Sequence, residues 1–273
     1  MNTSAPSHDA YAPQQIAERV TAIGATKGKA DALTIFILAV LGGAFISLGA
    51  LFFIVVTTGN PGLGFGINRL VGGVCFSLGL VLVVVGGAEL FTGNNLLAMA
   101  WASGSISTRE LLRHWGLAYL GNVVGCLLTV LLVAGAGLNQ LHHDSVGQTA
   151  VQIAVAKVHL GPGEVFCRGV LCNALVCLAV WLAMGGRSVA DKILAIILPI
   201  SAFVTIGLEH SIANWFFLPL GSHWANPGQI SMSAMAENLV ASTLGNLVGG
   251  SLLVASVYWL AYLRGGKDSP PAR

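Results

Sequence analysis

Six long apolar runs constrain this chain more than any other feature in it. They cover residues 33–56, 70–88, 115–136, 165–184, 193–207 and 239–263. A membrane-spanning helix needs about 20 such residues. Inside lipid each span must satisfy its own backbone hydrogen bonds, which favours helices. Composition agrees. The 273 residues are 55% hydrophobic and 9% charged, whereas soluble domains carry about 25% charge. The expected class is an all-α integral membrane protein. The net charge of +2 gives no basis for nucleic-acid binding. All five cysteines lie in apolar stretches without metal-ligand spacing, and read as small apolar side chains.

The loops between the runs are rich in turn residues, as in "TTGNPGLG", "SGSIS" and "HWANPGQ". Residues 1–12 are polar and include Asp9, so they do not read as a signal peptide. Segment 13–29 places Ile16, Val20 and Ile23 at helical spacing, and is expected to lie as an amphipathic helix on the membrane surface. Three parts are therefore expected: a cytoplasmic N-terminal segment (1–29), a membrane domain (30–263) and a cytoplasmic tail (264–273). With an inside N-terminus, ten Lys and Arg fall on the inner side (Arg19, Lys27, Lys29, Arg109, Arg113, Arg187, Lys192, Arg264, Lys267 and Arg273). Only Arg69, Lys157 and Arg168 fall outside. That bias predicts cytoplasmic termini for a multi-pass membrane protein.

The chain also repeats. "LGNVVGCLLTVLL" from Leu120 resembles "LGNLVGGSLLVAS" from Leu244, and "GAELFTGN" from Gly87 resembles "GLEHSIAN" from Gly207. Each half thus holds three spans, and an odd number inverts the second half, as in many channels and transporters.

The two octets place Glu, Asn, Gly and hydroxyl residues at membrane depth. Each reads as a break in its helix, the second and the fifth. The half-helices after the breaks are expected to point their N-terminal dipoles at the membrane middle. Glu89 and Glu209 are expected to accept bonds from freed backbone amides, and Asn94 and Asn214 to hold the turns. The free amides of the half-helices are expected to favour an anion or an electron-rich solute. The repeat loses its symmetry where His210-Ser211-Ile212 stand opposite Leu90-Phe91-Thr92. A histidine beside a carboxylate at membrane depth marks His210 as functional; Thr92 is the polar candidate across from it. No phosphate loop, dinucleotide fingerprint or HExxH motif accompanies them, so no enzyme activity, cofactor or metal is expected. "LHHDS", with His142, His143 and Asp144, and "HLGPGE" read as loop.

"GGVCFSLGLVLVVVGGAELFTGN", "RGVLCNALVCLAVWLA", "GRSVADK" and "GLEHSIANWFF" together resemble the formate/nitrite transporter family, over residues 30–263 or so. The resemblance implies an aquaporin-like protomer of six helices, with one pore in each subunit of a homopentamer. It implies a pore centre of His210 and Thr92, Lys157 in the outer vestibule, and Asn173 in support. It implies an outer constriction of Phe76 and Phe203, and an inner one of Leu80, Leu90, Phe91 and Val176. "CFSLGL", "KVH", "GRSVADK" and "YLR" are most like formate channels, so formate or a similar small anion, with protons, is the expected cargo. "ELFTG" occurs in nitrite channels too, and Gly93 stands where formate channels often carry serine. The Trp215-Phe216-Phe217 run stands where methionine is common. Nitrite and hydrosulfide channels are alternatives within the family. An aquaporin-like pore for neutral solutes is the alternative from another class. It needs no titrating histidine.

Overall fold

The computed structural model describes residues 9–59 and 62–264. The expected tail beyond residue 264, with Lys267 and Arg273, lies outside the described residues. Helix α1 (Pro13–Gly28) precedes α2 (Ala32–Thr57), the first helix long and apolar enough to cross a membrane. Next come α3 (Gly64–Gly86), a 3₁₀ turn (Gly93–Leu96), α4 (Leu97–Ala102) and α5 (Thr108–Gly135). The second half holds α6 (Ser145–Val158), α7 (Pro162–Gly185), α8 (Val189–Ile206) and α9 (Ser211–Trp224). It ends with α10 (Met232–Leu247), a π-helical stretch (Val248–Ser256) and α11 (Val257–Tyr262), which run on as one long helix. Among the described residues, six helices are long and apolar enough to span.

The starts of these helices follow from local chemistry. Asp31 accepts the Thr34 N–H at 2.9 Å, and Ser107 with Glu110 and Ser188 with Asp191 form capping boxes. The ends of α3 and α8 are alike. Gly87 and Gly207 adopt φ of 81° and 83°, the left-handed geometry that glycine takes without strain. Each terminates its helix at the start of a break.

The halves pack in the same way. In the first, α2 lies against α3 and α5; in the second, α7 lies against α8 and α10; α3 meets α8 across the centre. The repeated G-N-x-x-G motif explains the closeness. A Cβ on Gly125 would collide with the Val40 carbonyl, and one on Gly249 with that of Val170. Large apolar side chains such as Leu132 (73% exposed) and Leu198 (74%) cover the outside of the bundle. That surface suits lipid or other subunits.

Two expectations need correction. The apolar face of α1 is spent on protein, because Ile16, Ala17 and Val20 are buried with Leu96, Met99 and Trp181. Helix α1 therefore docks on the bundle, where burial against packed side chains takes the place of lipid. "HLGPGE", expected as loop, is only a three-residue link (159–161) between α6, the counterpart of α1 in the second half, and α7, to which Pro162, Gly163 and Glu164 already belong.

Candidate functional site

Each break leaves backbone groups that lipid could not satisfy, and a buried unpaired group costs about 1–3 kcal/mol. The expectation gave those amides to Glu89 and Glu209. Two asparagines of the repeated motif take them instead. Asn122 accepts the Phe91 N–H at 2.9 Å and donates to the carbonyls of Ala39 and Glu89 at 2.7 and 2.8 Å. Asn246 accepts the Ser211 N–H at 2.8 Å and donates to the carbonyls of Gly169 and Glu209, each at 2.9 Å. Both side chains are fully buried. One amide group supplies a donor and an acceptor together, which a carboxylate cannot do.

The carboxylates bind side chains. Glu89 Oε2 accepts from Asn94 Nδ2 at 2.6 Å and from Lys27 Nζ at 2.9 Å. Glu209 accepts from Asn214 Nδ2 at 2.7 Å, Lys157 Nζ at 2.8 Å and Asn238 Nδ2 at 3.3 Å. Lys27 and Lys157 each stand four residues before the N-cap of the next span, at Asp31 and Gly161. Lys27 was missed by the sequence reading, and that shared spacing was its signal.

The half-helices also differ from expectation. Helix α4 has only six residues, whereas α9 has 14. Three of the four amides that open α9 are occupied: Ser211 by Asn246, Ala213 by His210 Nδ1 at 3.0 Å, and Asn214 by the His210 carbonyl at 2.9 Å. They are committed to the protein before any anion arrives.

The second nitrogen of that ring carries the geometry of the centre. His210 Nε2 lies 3.0 Å from Thr92 Oγ1, both buried. Because Nδ1 accepts a backbone N–H, the neutral ring carries its proton on Nε2 and donates it to the threonine hydroxyl. The hydroxyl hydrogen is then free to turn elsewhere. The Thr92 carbonyl is held by Asn95 Nδ2 at 3.1 Å, Asn173 Nδ2 at 3.2 Å and Cys177 Sγ at 3.4 Å.

Two cavities flank this contact. Helix α3 passes one with Arg69 and Phe76, and the other, further along, with Leu80 to Gly87. The first, about 230 Å³, is walled by Phe76, Phe203, His210 and Glu209, with Arg69, Lys157 and Arg168. Three cations there face one carboxylate. Arg69 also donates to the carbonyls of Val204 and Thr205 at 2.6 and 2.7 Å, closing the end of α8. The second cavity, about 180 Å³, holds Lys27, Glu89, Asn94, Leu80 and Leu90. Phe76 meets Phe203 edge-on at 5.5 Å, and Phe203 stacks on the His210 ring at 5.8 Å. Phe91 and Val176 are buried in the same core but line neither cavity; Phe91 packs on Tyr119 at 5.0 Å.

An inverted-repeat membrane bundle with two broken helices, a buried polar centre and a cavity on either side defines a channel-type protein. The family model described as formate/nitrite transporter matches residues 14–260, and the chain belongs to that family. It is 41% identical to the formate channel FocA of Escherichia coli strain K12, over 94% of this chain and 96% of that one. A pentameric formate channel with formate bound superposes with a TM-score of 0.80 at 38% identity, covering 85% of this chain and 98% of that one. An FNT family ion channel gives 0.83 at 29% identity, covering 90% and 98%. These relatives are channels, not enzymes.

Proposed function

We propose that this protein passes formate, or a similar small monovalent anion, through a pore in each protomer, with His210 and Thr92 at its centre. The carrying observation is the 3.0 Å contact between His210 Nε2 and Thr92 Oγ1 at the meeting of the two breaks. The names and titles of the relatives support formate as cargo and a pentamer as the assembly. The charge bias of the loops supports cytoplasmic termini in an inner membrane.

The outer cavity, that of Lys157, concentrates anions because Arg69, Lys157 and Arg168 outnumber Glu209 and the Glu164 that pairs with Arg168. At the inner mouth Lys27 and Glu89 are matched one to one. The excess of cations at the outer mouth favours an anion over a neutral solute as cargo. Crossing the apolar constrictions as a bare ion costs several kcal/mol more than crossing as the neutral acid. At the centre the Thr92 hydroxyl, already accepting from His210, donates to the anion. A proton passing through His210 or a neighbouring water then converts the anion to the acid. At ordinary values of about 6.5 for imidazole and about 4 for a carboxylic acid, that transfer is uphill by about 3 kcal/mol in water. A site that penalises the ion offsets this cost.

The test is uptake into proteoliposomes of formate, nitrite, hydrosulfide and glycerol at two pH values, with the parent protein and His210→Asn. The asparagine remains polar but cannot titrate. It is expected to remove or reshape the pH dependence of formate uptake, with the assembled protein intact. Formate uptake with an unchanged pH profile overturns the proton role. Preference for glycerol, independent of pH, returns the neutral-solute pore.

A further inference from the structure

Glu89 and Glu209 are equivalent in the repeat, and each is held by a lysine and an asparagine from equivalent positions. Their third neighbours differ. At Glu209 the neighbour is Asn238, which also accepts from Asn214 at 2.8 Å and donates to the Lys157 carbonyl at 3.1 Å. The matching position, 124 residues earlier, is His114 on α5. Its Nε2 lies 3.6 Å from Glu89 Oε2, outside hydrogen-bond range. The ring is fully buried, and among the described residues neither nitrogen has a hydrogen-bond partner. The charged groups acting on it are Glu89 at the break, Lys27 from α1 and Arg113 from its own helix.

An asparagine closes this network in the outer half without any titration. The inner half keeps an imidazole whose nitrogens the neutral arrangement leaves idle. A charge-assisted N–H···O bond spans about 2.7–2.9 Å, so a movement of under about 1 Å joins a protonated ring to Glu89. Lys27, Asn94 and His114 all approach the same oxygen, Oε2. A bond from the ring therefore competes with the bond from Lys27.

We propose that His114 is a positioning residue for Glu89: by gaining or losing a proton it sets how firmly Glu89 holds Lys27, and so how freely Lys27 can face an anion. The inner mouth then responds to the pH on its own side, while the outer mouth, with Asn238 in that place, does not. The anion-attracting part rests on the function proposed above; the coupling of His114, Glu89 and Lys27 does not.

The coupling is read without transport. The purified assembly is labelled with an amine-reactive reagent between pH 4 and 8, and the labelling of Lys27 is divided by that of Lys157. The intrinsic pH dependence of amine reactivity cancels in the ratio. In the parent protein the ratio is expected to rise about two- to fivefold as pH falls, the range a partly exposed ion pair commands. In His114→Asn and His114→Gln it is expected to stay flat. A flat ratio in the parent, or an unchanged rise in either variant, overturns the proposal; if neither variant assembles, the parent ratio decides. Uptake at low formate, with only the inner-side pH varied, is expected to lose its pH response in His114→Asn, and a retained response overturns the transport part. If His210→Asn leaves the uptake profile unchanged while the Lys27 ratio still follows pH in the parent alone, the central-histidine reading fails and this one stands.

Discussion

Replacing Asn246 by alanine removes three hydrogen bonds at once. The Ser211 N–H and the Glu209 carbonyl lose the partner at 2.8 and 2.9 Å, while the Gly169 carbonyl remains within helix α7. Two orphaned groups at about 1–3 kcal/mol each give a loss of about 2–6 kcal/mol. Water cannot take over at this depth as it does at a soluble surface. With about 2–4 °C per kcal/mol for a chain of this length, the melting midpoint should fall by at least about 4 °C. Intrinsic tryptophan fluorescence of the detergent-solubilised protein reads this directly. Asn122→Ala, which frees the Phe91 N–H and the Glu89 carbonyl, should lose a similar amount. Both should also lower formate uptake, Asn246→Ala by loosening the His210 side and Asn122→Ala by loosening the Thr92 side. Midpoints within about 1 °C of the parent for both variants would refute the reasoning, because the breaks would then satisfy themselves without the asparagines.

The two lysines should differ in what they hold. Lys157→Ala leaves Glu209, 2% exposed, with asparagine donors alone, and removing one partner of a buried pair costs about 3–5 kcal/mol. Lys27 is 30% exposed, so Lys27→Ala should shift the melting midpoint less; equal shifts would count against the burial argument. Lys157→Ala should also depress uptake most at low formate and low salt, where fields reach furthest. Uptake reduced equally at saturating formate would assign it a structural role only. Phe203→Ala removes the edge-on contact with Phe76 and the stack on His210. Bilayer recordings of this variant should show larger bare-anion currents, and an unchanged conductance would mean that the aromatic pair is not the outer constriction.

The spans and the inverted halves could be read from the chain because lipid leaves few alternatives to a long apolar helix. The ends were harder. The span predicted at residues 70–88 begins at Gly64, since Arg69 sits inside the helix with its guanidinium on the carbonyls of Val204 and Thr205. Helix α6 escaped because its 14 residues are too few to span and too polar to stand out; its equivalence to α1 shows only when Lys27 and Lys157 are matched. At the breaks the sequence marked where the polar residues lie, but not which bonds they make. Glu89 and Glu209 drew attention as charges. The partners of the freed amides were the neutral Asn122 and Asn246, already visible as the invariant letters of the repeated motif.

The repeat separates structural from functional demand by physical necessity. Both breaks strand backbone groups in a medium that cannot satisfy them, so both halves need the same asparagine, the same carboxylate and the same lysine. Nothing in that demand calls for His210 opposite Leu90, or for Thr92 opposite Ile212. The difference nonetheless has a structural effect. Leucine cannot cap a helix, and the first half resumes only through a 3₁₀ turn at Gly93 before α4. The His210 ring accepts the Ala213 N–H, and α9 begins at once at Ser211. The same ring therefore fixes the start of a helix through Nδ1 and reaches Thr92 through Nε2. A second proton on the ring must go to Nδ1, which forfeits the cap. Charging this histidine is thus coupled to the first turn of α9, and a proton at the proposed centre of the pore acts on the helix that holds it there.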